Sequence, residues 1–388
     1  MKIIYVSDSI LPSRAASSIH VMKMCEAFAK QGHEVLLLTP NRKTKDSNTA
    51  SNIYSFYGVD NCFRIVKLPW LNVKGRSIIY GINSAILSKI NFPDLVYGRY
   101  LMSCYYAAAL KIPVIFESHQ PVLDSGNMYD KFFASLLQSQ YLKRVIVISN
   151  ELKKYYQCKY DIKSHILHVA HDAADIKTCA SEPVIIDNGT LNVGYIGQLY
   201  PGKGMELISQ LIMKAPWALF HIIGGLEKDI EKWRKELDGY GNVKFHGFIP
   251  HGQVNKYINS MDILLAPYQS KVEGHGGGDI SKWMSPLKIF EYMAAGKPIL
   301  CSDLPVLREI LTHEDNALLC ESDNVDVWME ALTRLNNDRT MMKKLGLSAY
   351  RKLIENHTWA MRAEKVLDNL CQDNDLKPRS DRLFGQDS

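Results

Sequence analysis

Short apolar runs alternate with amphipathic helical periods along nearly all of this chain, which restricts it to layered α/β architectures. The alternation starts at once. Lys2–Val6 is a buried-strand run. Ser18–Gln31 then repeats apolar residues at helical spacing through Ile19, Met22, Met24, Ala27 and Phe28, and Gly32 is a good stop. Glu34–Leu38 is the next strand run, so the first 38 residues hold a βαβ unit. Leu95–Tyr97, Val114–Glu117 and Val145–Ile148 are further strands with helical patterns between them.

A polar stretch near Ala173–Asn188 interrupts the pattern, which then restarts. Strands are expected at Asn192–Ile196, Leu219–Ile223, Val243–Phe245, Ile263–Ala266, Ile299–Cys301 and Ala317–Cys320. Helices are expected at Gly204–Met213, Asp229–Leu237, Val254–Asn259, Pro286–Ala295 and Val325–Leu335. A chain of 388 residues is long for one core and natural for two. The expected fold is therefore α/β: two Rossmann-like, doubly wound domains facing across a cleft, with ligands outside the carboxyl ends of the strands. The expected division is residues 1–180 and 181–355. A helix over 356–371 is a candidate to return to the first domain, and the polar tail 372–388 is expected to be disordered.

Composition excludes several classes. The net charge of +5 suits phosphorylated donors or anionic lipid, and no nucleic-acid motif is present. The eight cysteines are scattered singly without CxxC spacing, so neither a zinc site nor a disulfide framework is suggested. Met-Lys-Ile-Ile-Tyr-Val at the start reads as a strand, and no apolar run has the length of a membrane span. A cytoplasmic setting is expected. Leu142–Ser164 interleaves lysines and Arg144 with Tyr155, Tyr156 and Tyr160. This is either an interfacial surface against anionic lipid or a solvated helix face.

The most informative segment is Ser285-Pro-Leu-Lys-Ile-Phe-Glu-Tyr-Met-Ala-Ala-Gly-Lys-Pro298. Ser285 is a good N-cap, Pro286 fits the first helical position and Gly296 fits the C′ position. A Gly-rich loop, Glu273–Asp279, precedes it. A helix start of this kind, lined by Ser285, Pro286, Leu287 and Lys288, is an anion site. Lys288 and Glu291 stand at i and i+3 on one face, so the carboxylate could accept from two ribose hydroxyls. The bland alternative is a capped helix with a surface Lys–Glu pair. A second segment, Tyr195-Ile-Gly-Gln-Leu-Tyr-Pro-Gly-Lys-Gly204, follows a strand and opens a helix. Gly197 permits close backbone approach, Gln198 can donate, and Lys203 can reach an anion, although the segment lacks the P-loop order. The bland alternative there is a turn with a solvated lysine. No Asp-x-Asp triplet falls in any of these strand-end segments, so a metal-bridged diphosphate is not suggested.

Strand ends in the first half supply the remaining candidates. His119 closes Val114-Ile-Phe-Glu-Ser-His and could donate to a sugar hydroxyl; the alternative is a structural histidine, with Glu117 orienting it or holding backbone. The loop Asp8–His20 carries Arg14, Ala15, Ala16 and Ser17, either as donors beside approachable backbone or as a polar loop. Arg99 ends another strand and either binds an acceptor anion or pairs with a surface carboxylate.

The string Ser285–Pro298 resembles the nucleotide-sugar-binding motif of family 4 glycosyltransferases, the retaining enzymes of GT-B fold. The resemblance covers roughly Lys2 to Leu370. It implies a metal-independent hexosyltransferase without a cofactor, whose donor is a nucleotide-diphosphate sugar. It also implies a glycan or lipid-linked glycan acceptor in bacterial surface-polysaccharide synthesis, with the acceptor on the first domain and peripheral contact at the inner membrane face. Glu291 matches the ribose-binding Glu, and Lys203 matches the diphosphate lysine of a Gly-Arg-Leu-x-x-x-Lys-Gly motif in which Gln198 replaces the Arg. Trp283 stands where the family often has a further Glu, with Asp279 as a possible substitute. Ala15 and Ala16 take the place of a Gly-Gly pair, and the terminal His of the first-domain strand, which contacts the sugar, is His119. Gly224, in His221-Ile-Ile-Gly-Gly225, and Phe248 and Ile249, in Phe245–Pro250, resemble loops near the base. The rival readings are a sugar-nucleotide epimerase on the same scaffold and a non-catalytic sugar or nucleotide sensor.

Overall fold

The computed structural model describes residues 1–44, 52–122, 128–176, 184, 189–273, 278–368 and 370. The chain divides into two compact units, Met1–His171 with the segment from Trp359 onward, and Asp172–Thr358.

The first unit is built on seven parallel strands: β1 (Lys2–Val6), β2 (Glu34–Asn41), β3 (Arg64–Pro69), β4 (Leu95–Gly98), β5 (Val114–Ser118), β6 (Leu142–Val147) and β7 (Leu167–Val169). Their order is β3-β2-β1-β4-β5-β6-β7, so the strand order reverses between β1 and β4. The apolar runs form strands because both sheet faces are covered: Ile3, Ile4, Tyr5, Val114, Ile115, Val145 and Ile146 are all fully buried. Helices α1 (Ala16–Lys30), α2 (Ile53–Tyr57), α3 (Arg76–Ile90), α4 (Leu101–Ala109), α5 (Met128–Leu137) and α6 (Asn150–Lys159) connect them.

The second unit carries six parallel strands: β8 (Leu191–Ile196), β9 (Ala218–Ile223), β10 (Val243–Gly247), β11 (Ile263–Ala266), β12 (Ile299–Ser302) and β13 (Leu318–Cys320). The order β10-β9-β8-β11-β12-β13 places its switch point between β8 and β11. Its helices are α7 (Met205–Lys214), α8 (Glu227–Glu236), α9 (His251–Asn259), α10 (Leu287–Ala294), α11 (Val325–Asn337) and α12 (Arg339–Asn356). One helix row buries Leu207, Ile208, Leu211 and Trp328 on one side of this sheet. Ile289, Phe290, Tyr292 and Met293 of α10 are buried on the other.

The division of the chain falls at 171/172 and 358/359, not at 180/181 and 355/356. Two contacts set it. The Asp172 amide donates to Ser285 Oγ at 2.8 Å, and Ala174 pairs with Thr358 while its amide donates to the His357 carbonyl. Both belong to the second unit. Helix α13 (Trp359–Leu367) packs in the first unit, where the Trp359 ring stands edge-on to His20 and Ala360's carbonyl accepts from Gln31. The expected tail 372–388 lies outside the described residues, as do residues 274–277 of the Gly-rich loop.

The run Leu142–Ser164 is not one exposed face. Leu142–Val147 is strand β6, and Arg144 is buried, donating to the carbonyls of Lys365, Val366 and Asp368. Tyr156 and Tyr160 turn inward onto Phe133, and Lys159 lies 3.6 Å from Asp130.

Candidate functional site

In the second unit the site grows from the carboxyl ends of β8 and β9. Gly197 follows β8 and its amide donates to the Ile223 carbonyl at 2.9 Å. Gly224 follows β9, holds φ +108° and donates to the Gly247 carbonyl at 2.7 Å. A Cβ on Gly224 would strike the Gly197 carbonyl oxygen, so the two bare backbones are in contact. A flat, side-chain-free floor results, of the kind a diphosphate can approach.

Lysines stand beside it at the switch point. Lys288, in the first turn of α10, places Nζ 4.0 Å from the Tyr195 ring centroid and 4.9 Å from that of Tyr268. Lys203 places Nζ 5.4 Å from the same Tyr268 ring. Tyr195 is on β8 and Tyr268 follows β11, so the two flanking strands of the switch point supply the ring faces. Lys288 Nζ is buried and has no hydrogen-bond partner, and so is Gln198 Oε1. Burial, reinforced by the charge on Lys203, pushes the Lys288 amine well below its ordinary value; burial alone lowers Lys203 to about 8. A buried ammonium without an acceptor is costly, so this arrangement favours an incoming anion. The surface Lys–Glu pair and the solvated lysine are therefore not what the fold builds.

Glu291 lies one turn further along α10. Its Oε1 is 2.6 Å from Nε2 of His251, the first residue of α9, and both side chains are largely covered. His251 thus fixes one carboxylate oxygen. The neighbouring Tyr292 is buried and accepts from the Ile196 amide at 3.0 Å while donating to the Leu265 carbonyl at 3.3 Å. That tyrosine pins α10 across β8 and β11, which is why Lys288 and Glu291 stand where they do.

Two expectations about the helix start are corrected. Pro286, not Ser285, occupies the N-cap, and no side chain caps the helix. Ser285 is buried, and its hydroxyl accepts from the Asp172 amide instead. Gly296 does take the C′ position, with φ +63° and its amide donating to the Met293 carbonyl. Leu287 is buried. Asp279 is exposed, and its Oδ1 accepts from the Val272 and Ser281 amides at 3.1 and 2.9 Å, which braces the loop. Ile249 packs on the core beneath α10, and Phe248 precedes it in the same half-buried loop.

In the first unit His119 belongs to a buried hub around Glu117. Glu117 Oε1 bonds His119 Nε2 and accepts from Arg362 of α13 at 3.0 Å, His20 Nε2 lies 2.8 Å from the same oxygen, and Tyr97 donates to Oε2. Burial opposes the Glu117 charge, but Arg362, His20 and His119 outweigh it and hold the carboxyl well below its usual range. Burial, then Arg99, pushes the His119 imidazole down, to about 3, so the ring is neutral at pH 7. His20, Glu117 and His119 have ligand atoms within 4.8 Å of one another, a spacing that could hold a metal ion. Arg362 competes for that role: a dication on Glu117 Oε1 would face a guanidinium 3.0 Å from the same oxygen.

Arg99 donates through NH1 to the Ser17 carbonyl at 3.2 Å, and so braces the loop entering α1. Ala16 is the exposed first residue of α1, after an extended Ala15, and Arg14 is half-buried in the same loop. The residues that sequence reasoning missed are His251, Tyr195, Tyr268, Tyr292, His20 and Arg362. All but Tyr292 act on a known candidate from a distant part of the chain, and Tyr292, beside Glu291, acts by bonding backbone of β8 and β11, so no local spacing marks them.

The comparisons with known proteins agree with this architecture. A model of glycosyltransferase family 4 matches residues 17–178, and one of glycosyl transferases group 1 matches residues 180–352. An uncharacterized glycosyltransferase of Haemophilus influenzae is 23% identical over 333 residues, 82% of this chain and 85% of that one. The O-antigen biosynthesis glycosyltransferase WbnH of Escherichia coli is 28% identical over 170 residues, 44% of this chain and 45% of that one. The crystal structure of Anabaena HepE in complex with UDP-glucose superposes with a TM-score of 0.71 at 14% identity, covering 96% of this chain and 100% of that one. Two Rossmann-like sheets with these matches define a glycosyltransferase of GT-B fold. More particularly, the chain is a family-4-like glycosyltransferase. Among the described residues no helix is long and apolar enough to cross a membrane.

Proposed function

We propose that this glycosyltransferase draws a hexose from a nucleotide-diphosphate sugar and transfers it, with retention and without a metal, to a glycan or lipid-linked glycan of a bacterial surface polysaccharide. The reaction would run on the cytoplasmic side of the membrane. The observation that carries the reading is Lys288 Nζ, buried without a hydrogen-bond partner beside Lys203 and the Gly197–Gly224 floor. A diphosphate supplies the acceptor oxygens that this amine lacks. Positive charge there stabilises the nucleoside diphosphate as it leaves, because charge develops on its oxygens in the transition state.

The remaining roles follow. Gly197, Gln198 and the start of α10 from Ser285 to Lys288 would bear on the diphosphate. Glu291, held by His251, would accept from the ribose hydroxyls. Gly224, Phe248 and Ile249 would line the base. His119, neutral and held through Nε2, would face the sugar. Arg14, Ala16, Ser17 and Arg99 would serve the diphosphate or acceptor from the first unit. Uridine diphosphate is the first nucleotide to try, since HepE has been solved with UDP-glucose. The O-antigen role of WbnH supports the acceptor class.

The test is incubation with a panel of nucleotide sugars in the presence of a chelator, without acceptor. Slow release of nucleoside diphosphate with one donor is expected. An altered sugar nucleotide with no diphosphate released would indicate an epimerase, and binding without turnover, with or without acceptor glycans, would indicate a sensor.

A further inference from the structure

Four loops leave the carboxyl ends of β1, β2, β3 and β4, and the strand order of the first unit reverses among them, between β1 and β4. Open α/β sheets bind ligands along such an edge. Three aromatic rings form a row there. Trp70, which follows β3, stands 5.3 Å from Tyr80 of α3 between ring centres, and Tyr80 stands 5.5 Å from Tyr100, which follows β4. Tyr80 is buried and donates to the Ser7 carbonyl at 2.7 Å, which ties the row to the end of β1. Trp70 and Tyr100 keep part of their surface in solvent.

Two arginines converge on the outer ring from different loops. Arg42 follows β2 and places its guanidinium carbon 5.6 Å from the Trp70 ring centre; Arg76 opens α3 and places its own at 6.0 Å. The negative face of the ring attracts both cations. Arg76 also donates to Asn72 Oδ1 at 3.2 Å, but among the described residues neither guanidinium forms an ion pair. Lys43 and Lys74 are exposed in the same two loops. Asp8, after β1, is the only carboxylate among the described residues of the four loops, and its charge acts on the hydroxyls of Tyr80 and Tyr100.

Like charges gathered at one ring, with no carboxylate between them, favour an anion that supplies the missing acceptors. A simple inorganic anion would leave the aromatic row unused. A neutral glycan would leave the guanidiniums unused. A sugar that carries a carboxylate or a phosphate uses both. Its apolar ring face packs on the exposed aromatic surface, and its anionic oxygens take the planar guanidinium donors. Asp8 repels that anion and accepts from uncharged hydroxyls, so the acidic end points toward Trp70 and the hydroxyl end toward β1.

We propose that this edge is an acidic-sugar subsite, in which Arg42 and Arg76, held by Trp70, select an acceptor glycan that bears an anionic group. The proposal rests on the glycan-acceptor reading above and adds to it the charge of the acceptor. It concerns residues of the first unit alone and is independent of the donor nucleotide.

The test is calorimetric titration of the full chain, with and without UDP, against a hyaluronan tetrasaccharide, N-acetylglucosamine 1-phosphate, neutral chitotetraose and inorganic phosphate. At least one acidic sugar should bind roughly ten-fold or more tighter than both chitotetraose and inorganic phosphate, the effect of one or two charge-assisted hydrogen bonds. Whichever acidic sugar leads tells a uronate carboxylate from a phosphate. Arg42→Ala/Arg76→Ala should lose that preference. Arg42→Lys/Arg76→Lys should recover only part of it, since an ammonium lacks the planar fork. Thermal melts and unchanged UDP affinity would show that both double variants fold. Chitotetraose or inorganic phosphate binding as tightly as the acidic sugars, no binding of either acidic sugar, or an unchanged preference in the alanine variant would overturn the proposal. Failure to bind UDP, with the acidic preference intact, would count against the donor reading alone.

Discussion

Lys288 Nζ stands 4.0 Å from the centre of the Tyr195 ring and donates to no oxygen. The titratable groups facing it are Tyr195 of β8, Tyr268 after β11, Lys203 before α7, Cys301 of β12 and Glu291 on its own helix. Burial and Lys203 disfavour its charged form, while Cys301 and Glu291 favour it less strongly. A bound diphosphate should reverse that balance, so binding should take up a proton at Lys288. Calorimetry of UDP binding at pH 7, in buffers of low and high ionisation enthalpy, measures the uptake. Lys203, at about 8, is already mostly protonated there and adds little. We expect an apparent enthalpy that varies with the buffer in the wild type and not in Lys288→Met. Binding with no buffer dependence would refute proton uptake without touching the donor assignment.

The same shift sets a direction for stability. The unfolded lysine gains its proton near 10.5, whereas the folded one gains it well below that. The folded state therefore loses stability as pH falls from 10.5 toward the folded value, and is fully relieved only above that window. Lys288→Met removes the loss. Its unliganded melting temperature at pH 7 should exceed that of the wild type, and the gap should close as pH approaches 10.5.

His251 holds one oxygen of Glu291 at 2.6 Å, so its effect on nucleotide binding should be indirect. Glu291→Ala removes the proposed ribose acceptor. Hydrogen bonds to a charged group contribute about 1.5–3 kcal/mol, so the UDP dissociation constant should rise roughly ten- to a hundred-fold. His251→Ala should cost less, about ten-fold or under, and His251→Gln should recover part of it. UDP lacking the ribose hydroxyls should bind wild type and Glu291→Ala equally. A difference between them with that analogue would show that Glu291 acts elsewhere.

The parts of this molecule that were legible in the sequence are those that repeat locally. Buried parallel strands read as unbroken apolar runs, and Ile263–Ala266 was located to the residue. Strand β3 was missed because Arg64 and Lys67 interrupt its run at the sheet edge, and β7 because it has only three residues. The candidate site was legible where one short segment carries it, as with Lys288 and Glu291. It was illegible where two elements meet. An i, i+3 Lys–Glu pair looks solvent-facing until Tyr195 and Tyr268 close over the lysine. Nothing within Val114–His119 announces that Arg362, 245 positions away from Glu117, completes its hub.

That hub makes a stability prediction. Glu117 and Arg362 are both shut from solvent, and their contact is 3.0 Å. Removing one partner of a buried pair leaves an uncompensated charge, at a cost of about 3–5 kcal/mol. Arg362→Met should thus lower the melting temperature by many degrees. The folded carboxyl of Glu117 titrates well below its ordinary 4.5. Its contribution is complete above that value and is lost as pH falls toward the folded one. The melting-temperature gap between wild type and Glu117→Gln should therefore be widest above about pH 4.5 and shrink toward acid. A gap that stays constant from neutral pH into acid would show that Glu117 does not hold its charge through the hub.

Gly224 offers the sharpest separation between folding and binding. Its φ of +108° strains any residue with a side chain, and an added Cβ meets the carbonyl oxygen of Gly197, which is backbone and cannot rotate away. The ends of β8 and β9 would have to part, and with them the floor beside Lys203 and Lys288. The apolar core of the second unit lies within the sheet layers, below this rim, so the fold should survive with a loss of about 1–3 kcal/mol. Gly224→Ala should then melt cooperatively, a few degrees lower, while UDP binding falls by at least ten-fold. Gly239, also at positive φ but with nothing near its would-be Cβ, is the control. Gly239→Ala should show a similar loss of stability from strain alone and leave UDP affinity unchanged. Equal effects of the two substitutions on affinity would mean that the Gly197–Gly224 contact does not shape the nucleotide site.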